Sequence, residues 1–138
     1  MKPIEIMIND WVYNKNIDKY IQVYPMMMSQ MFRQTPDART EDYNIFPIPL
    51  VKEDLVKNNF EVYDQGGGRF DVWTGYGEDN GDDIEISFYE DGRIFVKIDA
   101  PSQGVYFTSW NVKYFHQLQH ILRECGYEKE LILVDKVL

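Results

Sequence analysis

The sequence predicts an α+β fold: an antiparallel meander of strands, with a short helix inserted before it and a C-terminal helix packed on it. One observation is the hairpin signal Asp91-Gly92, which separates two segments that alternate apolar and polar residues. Another is residues 111–125, where apolar side chains recur at helical spacing. The 138 residues fit one domain, with a β-rich unit over 1–50, the helix, meander and closing helix over 51–126, and a tail over 127–138.

The N-terminal unit is predicted to begin with a hairpin. Residues 5–13 and 19–26 are apolar, β-branched and aromatic, and the polar cluster 14–18 between them is typical of a turn. A loop is expected over 29–42, followed by a third strand over 43–47. We expect this unit to continue into the main sheet, in an arrangement compatible with a small barrel.

The inserted helix is predicted between Ile48 and Phe60. Glu53 and Asp54 lie in its first turn and Lys57 near its end, as the helix dipole favours. Asn59 can adopt the left-handed conformation that ends a helix. We therefore expect a helix of about two to three turns, with Val51, Leu55 and Val56 on one face.

The meander is predicted to contain four or five antiparallel strands with one buried face. Gly66-Gly67-Gly68 separates the first two strands as a flexible turn, because no Lys-Ser/Thr pair or helix follows it as a phosphate loop would require. The expected strands cover residues 60–63, 70–76, 83–89, 94–98 and 105–110.

The closing helix is predicted over 111–125, with Gly126 as its C-terminal stop. We expect its apolar stripe to pack on the meander; the stripe comprises Tyr114, Phe115, Leu118, Ile121, Leu122 and Cys125. The tail over 131–138 is apolar and β-prone. It predicts either an edge strand or pairing with a second copy of the chain.

The charge and composition favour a protein that stays in the cytoplasm. A net charge of −9, from 23 acidic and 14 basic residues, disfavours direct binding to nucleic acid. It favours solubility, or a negative surface that competes with nucleic acid for a basic partner. The single cysteine, Cys125, excludes an intrachain disulfide. No leader peptide, membrane span or membrane partner is expected, and no cofactor.

Two histidines, His116 and His120, are four residues apart on the closing helix and could share a metal. The zinc-protease motif has this spacing with a glutamate after the first histidine as general base. Here that residue is Gln117, which cannot accept a proton at neutral pH. A metal site also needs a third ligand, and none is near in sequence. We therefore expect two exposed histidines, with a metal site as the alternative, and no catalytic residues.

The acidic run from Glu78 to Asp83 does not match a calcium loop, because its glycine is in the fourth place and a strand follows. The run predicts a solvated hairpin turn. It also suggests an exposed contact patch, comprising Trp73, Tyr76, Asp79, Asp82 and Asp83.

The remaining aromatic and methionine residues are expected to serve the core. Trp11 and Trp110 are predicted to be buried, whereas Trp73 lies on the face opposite Val72. The methionines at positions 26–28 and 31 predict a strand with a core-facing side, followed by a loop.

Several short segments resemble a family of small uncharacterised proteins found in gut Bacteroides-type bacteria and in their phages and prophages. The similarity includes Asn9-Asp10-Trp11-Val12-Tyr13, Tyr20-Ile21-Gln22-Val23, Ile48-Pro49-Leu50, Asn59-Phe60 and Val112-Lys113-Tyr114-Phe115-His116-Gln117-Leu118-Gln119. The last segment is similar to the family's closing helix and is the most specific of them. The resemblance implies a bacterial cytoplasm and a mobile-element origin, and it implies no activity.

This chain departs from the family pattern at three places. The family has no histidine at the position of His120, which further disfavours a metal site. Residues 29–42 and the tail after Glu130 also depart from it.

The sequence leaves three functional hypotheses open. The first is a non-enzymatic protein that binds another protein through an acidic and aromatic surface. The second is a metal-binding protein or enzyme that uses His116 and His120. The third is a structural protein that self-assembles through its tail.

Overall fold

The computed structural model describes residues 5–32, 39–75 and 81–133, and these residues adopt the predicted α+β fold. They form a three-stranded and a five-stranded antiparallel sheet. No helix within these ranges is both long and apolar enough to cross a membrane. The strands are β1 (Trp11–Asn14), β2 (Lys19–Gln22), β3 (Ile45–Phe46), β4 (Glu61–Gly66), β5 (Arg69–Gly75), β6 (Asp83–Phe88), β7 (Ile94–Ala100) and β8 (Val105–Ser109), and the α-helices are α1 (Pro25–Phe32), α2 (Lys52–Val56) and α3 (Phe115–Glu124).

The five-stranded sheet is a simple meander in which each strand pairs with the next one along the chain, from β4 to β8. Both predicted hairpin turns are confirmed. Gly92 joins β6 to β7 with a φ of 88°, a conformation that glycine adopts without steric strain. Gly68 closes the β4–β5 turn at a φ of 78°, and a Cβ there would lie 2.7 Å from the Cβ of Glu90. Any other residue here would be strained and would require the Glu90 side chain to shift.

The inner face of this sheet forms the main core with the closing helix. Alternate strand residues are fully buried on this face, among them Val72, Ile86 and Val96, which lie opposite one another on β5, β6 and β7. The apolar stripe of α3 belongs to the same cluster through Phe115, Leu118 and Leu122. The predicted packing of the closing helix on the meander is confirmed.

The closing helix begins later than predicted, at Phe115 instead of Asn111. Residues 113 and 114 precede the helix because the backbone here pairs with residues 48–50, and Tyr114 is extended. The Leu50 N–H donates to the Lys113 carbonyl at 2.9 Å, and the Phe115 N–H donates to the Ile48 carbonyl at 2.8 Å. The helix stops where predicted, with Gly126 at a φ of 79°.

The N-terminal unit differs most from expectation. Its strands β2, β1 and β3 form a separate sheet with its own small core, and the described residues form neither a closed barrel nor a continuous sheet with the meander. β1 begins at Trp11, since Asn9 has a φ of 74° that interrupts an extended strand. β3 is only two residues long.

The methionine segment is a helix, so the predicted strand and loop are wrong here. Pro25 begins α1, and proline is favoured in the first turn because its missing N–H has no partner there anyway. Met27 and Met31, one turn apart, are buried in the small core, whereas Met26 is exposed. The expectation of core methionines is thus confirmed in part. Of the predicted loop, residues 33–38 lie outside the described residues.

The described part of the tail forms no strand. Leu131 and Leu133 are buried in the main core. Asn58, just after α2, accepts a hydrogen bond from the Ile132 N–H and donates one to the Ile132 carbonyl, both at 2.8 Å. This segment therefore docks on its own domain.

Candidate functional site

The outer face of the five-stranded sheet is the first candidate site. Its side chains alternate along the strands with the core-facing ones and lie outside the main core, and all but Asp71 and Ser87 are partly or fully exposed. We call this surface the open face. It comprises Glu61, Tyr63, Asp71, Trp73, Asp83, Glu85, Ser87, Phe95, Lys97, Asp99, Tyr106 and Thr108.

One end of the open face is acidic. Asp83 of β6 lies directly opposite Asp99 of β7, and the next pair on the same face is Glu85 with Lys97. Trp73 lies in register between Glu61 and Glu85 and is half-buried. The structure thus brings the predicted residues Trp73 and Asp83 onto one surface. Tyr76 and Asp79 lie outside the described residues.

Asp82 does not belong to this surface, and the expectation that it is exposed is wrong. It points away from the open face because it is one residue before Asp83 in an extended segment. Its carboxylate is buried and accepts hydrogen bonds from the backbone N–H of Ser102, at 3.1 Å, and from the Ser102 hydroxyl. Asp82 therefore anchors the 3₁₀ turn Pro101–Gln103.

The other end of the open face carries stacked aromatic and guanidinium groups, which we call the arginine stack. The Arg93 guanidinium lies 5.3 Å from the Tyr89 ring centre and 5.4 Å from that of Trp110, while Arg69 lies 5.3 Å from Tyr89. The centres of the Trp110 and Phe95 rings are 4.5 Å apart. Each arginine is paired with an aspartate close in sequence, Arg69 with Asp71 and Arg93 with Asp91.

Trp110 is 49% exposed, so the prediction that it lies in the core is wrong. Trp11, by contrast, is partly buried against the main core, as predicted in outline. Trp110 is exposed because of its register: it follows Thr108 on the outer side of β8, while Phe107 points inward.

Next to the arginine stack is a cavity of about 290 Å³ whose lining includes Lys52, Phe70, Phe88, Tyr89 and Arg93.

The second candidate site lies on α3, where the expectation of exposed histidines is wrong. Four polar residues recur on one side of the helix and face the N-terminal unit: His116, Gln119, His120 and Arg123. His116 is 2% exposed. These residues join the two sheets of the protein, because the apolar stripe on the other side of the helix packs on the meander.

Asp10 is the centre of this polar contact. Its side chain is fully buried, and its Oδ2 accepts hydrogen bonds from His120 Nε2 at 2.5 Å and from the Met7 N–H at 2.7 Å. Its Oδ1 accepts from Arg123 Nη1 at 2.7 Å. Arg123 in turn pairs with Glu130. Three donors from two parts of the chain therefore hold this buried carboxylate.

The two glutamines of the helix have structural roles. Gln119 is buried, and its Oε1 accepts a hydrogen bond from the Trp11 N–H at 2.9 Å. Gln117 caps the helix, since its Oε1 accepts from the backbone N–H groups of Lys113 and Tyr114. Gln117 therefore occupies the position of the zinc-protease base but serves the helix terminus.

A cavity of about 400 Å³ lies beside the N-terminal end of α3, and we call it the histidine cavity. The His116 ring stacks on Tyr114, with ring centres 6.0 Å apart and planes 10° apart, and the His120 ring is 5.6 Å away. Burial lowers the pKa of His116 from 6.5 to about 4, so this side chain is neutral at pH 7. The cavity is lined by Glu5, Glu41, Pro47, Tyr114, His116, Gln117 and His120.

His116 has an unusual feature for a buried side chain. Its Nδ1 atom has no hydrogen-bond partner among the residues that the structure describes. Buried polar atoms nearly always have partners, since an unsatisfied one is costly. The same residues contain no group of three or more histidine, cysteine, aspartate or glutamate side chains placed to hold a metal ion.

Sequence reasoning missed Asp10 as a functional candidate. The available signal was the spacing of His116, Gln119, His120 and Arg123, which recur at i, i+3, i+4 and i+7 opposite the apolar stripe. A polar stripe of that width needs a polar partner. What the sequence does not show is which distant residue supplies it.

Comparison with protein-family models, with curated proteins and with solved structures finds no match to this chain. The resemblance drawn from residues 112–119 stays a prediction.

Proposed function

We propose that this protein is a non-enzymatic binding module that engages another protein through its open face. The observation that carries the proposal is the exposed arginine stack, in which the Arg93 guanidinium lies beside the rings of both Tyr89 and Trp110. Tryptophan, tyrosine and arginine are the residue types that dominate binding energy at protein interfaces. Large apolar rings on an uncovered sheet face also favour burial against a partner.

The proposed partner carries basic residues opposite the acidic end of the open face. Asp83, Glu85 and Asp99 are close together on two adjacent strands, and only Lys97 lies among them on those strands. The net charge of −9 adds a long-range attraction for such a partner. It also repels nucleic acid, so a basic nucleic-acid-binding protein is one suitable class of partner.

The two ends of the open face have different proposed roles in binding. The arginine stack and the adjacent cavity near Phe70 offer a concave anchor site that a partner side chain can fill. The acidic end supplies steering and register, effects that salt screens. We therefore expect binding that weakens with salt but is not abolished by it. The proposed setting is a bacterial cytoplasm, as the family resemblance implies.

The experiment uses paired tryptophan and tyrosine variants. Partners captured from bacterial lysate by the unaltered chain are identified, purified and titrated against Trp110→Ala and Tyr24→Ala. Tyr24 is a matched control because it is 51% exposed, close to the 49% of Trp110, but lies on the N-terminal unit. We expect Trp110→Ala to weaken binding by at least about 10-fold, the usual effect of truncating such an anchor, and Tyr24→Ala to leave it unchanged.

Two results would contradict the proposal. One is equal affinity of both variants for the purified partner. The other is the absence of any stoichiometric partner at low salt across several lysates. A partner that binds equally well after Trp73→Ala and Glu85→Gln would remove the acidic end from the interface while leaving the arginine stack.

The two alternatives have weaker support. A metal-binding protein or enzyme based on His116 and His120 needs further ligands, and bound zinc in protein purified without a histidine tag would support it. Self-assembly through the tail is less favoured because Leu131 and Leu133 are buried in the core of their own domain. A lower mass in light scattering after truncation at Glu130 would support self-assembly.

A further inference from the structure

The two edges of the five-stranded sheet differ in chemistry. One edge is β4, which carries Glu61 and Asp64 and has an irregular register between Asp64 and Gly66. Charges and bulges on an edge strand prevent it from pairing with another chain. The other edge is β8, which has neither: its ladder with β7 is regular, and no charged residue lies between Asp99 and Lys113 in the sequence. Of the two edges, β8 is therefore the one open to a further strand.

The free side of β8 offers backbone groups to such a strand. Apart from the ladder with β7, its residues make no backbone hydrogen bond to any other described residue. Alternate residues of the strand therefore present their N–H and carbonyl groups to the free side. The first four residues, Val105 to Thr108, are β-branched or aromatic, and Tyr106 is 70% exposed. These residue types are enriched in strands, so the segment is a suitable template for pairing.

We propose that the partner protein adds an extended basic segment to the edge of β8, as a sixth strand of the sheet. This inference rests on the proposed function and specifies how the partner engages the open face. In strand addition, main-chain hydrogen bonds give affinity and alternate side chains give specificity. The edge of β8 borders both ends of the open face, because Tyr106 lies opposite Asp99 and because Trp110, just after the strand, belongs to the arginine stack.

The register of β8 determines which side chains suit the partner. Tyr106, Thr108 and Trp110 alternate along the outer side, so three alternate residues of an added strand would lie beside them. The residue beside Tyr106 should be arginine or lysine, since the exposed ring attracts a cation and Asp99 is its direct neighbour on β7. The residue beside Trp110 should be aromatic. Antiparallel pairing is slightly more stable than parallel pairing, so the segment should read aromatic, β-branched and basic at alternate positions.

A second copy of the chain fits this edge less well. Pairing of β8 with β8 of another copy would bring together two chains of net charge −9, which repel each other. The strand has five residues, a small part of the roughly 20 to 30 residues per side that a standard interface contains. A basic segment is instead attracted by the charge of the chain. Charge complementarity therefore favours the basic segment over self-association.

The first test uses the unaltered full chain and a blocked peptide, Thr-Trp-Thr-Val-Thr-Arg-Thr. Isothermal titration compares it with two isomers, one N-methylated at Trp, Val and Arg and the other at the three threonines that follow them. Each isomer lacks the N–H donors of one peptide edge, and only one edge can pair with β8. We expect one isomer to bind at least about 10-fold more weakly than the other, the effect of losing more than one hydrogen bond. Equal affinities of the isomers, or no binding of the parent peptide at millimolar concentration, would overturn the proposal.

The second test uses the captured and purified partner. Its binding should slow hydrogen exchange at the outward-facing amides of β8 by at least about 10-fold, because a new hydrogen bond must open before exchange occurs. The amides of β4 should be unaffected. Tyr106→Ala should weaken binding by about 5- to 10-fold, as truncation of an interface tyrosine does. Tyr63→Ala is the matched control and should bind normally, since Tyr63 is also exposed on the outer side but belongs to the opposite edge strand.

The outcomes separate this inference from the proposed function. A partner that loses affinity for Trp110→Ala but leaves exchange in β8 unchanged would support the binding module and overturn strand addition. Slowed exchange in β8 with full affinity for Trp110→Ala would support strand addition and contradict the role of the arginine stack. A concentration-dependent dimer in light scattering, with the amides of β8 already protected in the free protein, would assign the edge to a second copy and overturn the proposal.

Discussion

The buried carboxylate of Asp10 accepts a hydrogen bond from His120 Nε2 at 2.5 Å, joining residues 110 positions apart in the chain. This contact connects the N-terminal sheet to the closing helix. Because Arg123 Nη1 donates to the other carboxylate oxygen, the aspartate is held from both sides. The two sheets are therefore joined by a polar contact with specific geometry in addition to apolar packing.

Replacing Asp10 with alanine should destabilise the protein by about 3 kcal/mol. The reason is that the charged and polar groups that bind this carboxylate would stay buried without their partner. Arg123 would lose its carboxylate partner there, and the Met7 N–H would lose its acceptor. Urea unfolding at pH 7 measures the change. Asp91→Ala is the control, since Asp91 also pairs with an arginine but in an exposed turn. Similar midpoints for the two variants would show that the buried contact contributes no more than an exposed ion pair.

Stability should fall as the pH is lowered from about 6.5 to about 4, and His116 should cause part of this fall. Burial, the largest effect, lowers its pKa from 6.5 to about 4; Asp10 and Glu5 oppose the shift and His120 adds to it. Between these values the unfolded chain binds a proton at this residue that the folded chain does not, so acid favours unfolding. The full effect is roughly 3 kcal/mol, from 1.36 kcal/mol per pKa unit.

The measurement for His116 is urea unfolding at several pH values with the unaltered protein and His116→Phe. The variant should lose this part of the pH dependence, and its stability relative to the unaltered protein should improve as the pH falls below 6.5. Parallel curves over pH 4 to 6.5 would contradict the prediction. Above the unfolded-state value near 6.5 the residue is neutral in both states, so the two curves should run parallel there.

The meander was predictable because its signals are local. Strands β6 and β7 alternate cleanly about the Asp91-Gly92 turn, and that pattern alone determines the pairing and the buried face. The closing helix was equally visible through its apolar stripe. Its first residues were wrongly predicted because the segment 113–115 pairs with 48–50, a contact between distant residues that local periodicity does not contain.

The N-terminal unit and the candidate sites were less predictable for the same physical reason. The methionine segment has an apolar content that suits a strand or a helix, and Pro25 at its start was the neglected sign of a helix. Trp110 follows a strand, where a change of one position reverses the face of the side chain. Asp10 is surrounded by residues that resemble a strand, and only the folded chain places it against His120 and Arg123.

Asn58 should hold the start of the tail against the domain. Its side chain satisfies both the N–H and the carbonyl of Ile132, at 2.8 Å each. Asn58→Ala should cost about 1 kcal/mol and should speed hydrogen exchange at the Ile132 amide by roughly 5- to 10-fold. Asn111→Ala, an exposed asparagine before α3, is the control. Unchanged exchange at Ile132 would show that the buried Leu131 and Leu133 hold this segment without the asparagine.

Asp82 and Asp83 are neighbours in sequence and should respond oppositely to the same substitution. Asp82→Ala removes the acceptor for two hydrogen bonds from Ser102 and should destabilise the protein by about 1 to 2 kcal/mol. Asp83→Ala relieves repulsion from Asp99 directly opposite, so its stability should stay within about 0.5 kcal/mol of the unaltered protein.

The binding measurements for these two variants should show the reverse order. Asp83→Ala should weaken capture of the basic partner proposed for the open face, and more so at low salt, where exposed charges are least screened. Asp82→Ala, assayed well below its unfolding temperature, should bind normally, since its carboxylate faces the Pro101–Gln103 turn and not the open face. Thermal unfolding and titration of the same two proteins provide both readouts. A loss of binding in Asp82→Ala with normal binding in Asp83→Ala would place the acidic contact on the opposite side of the sheet from the open face.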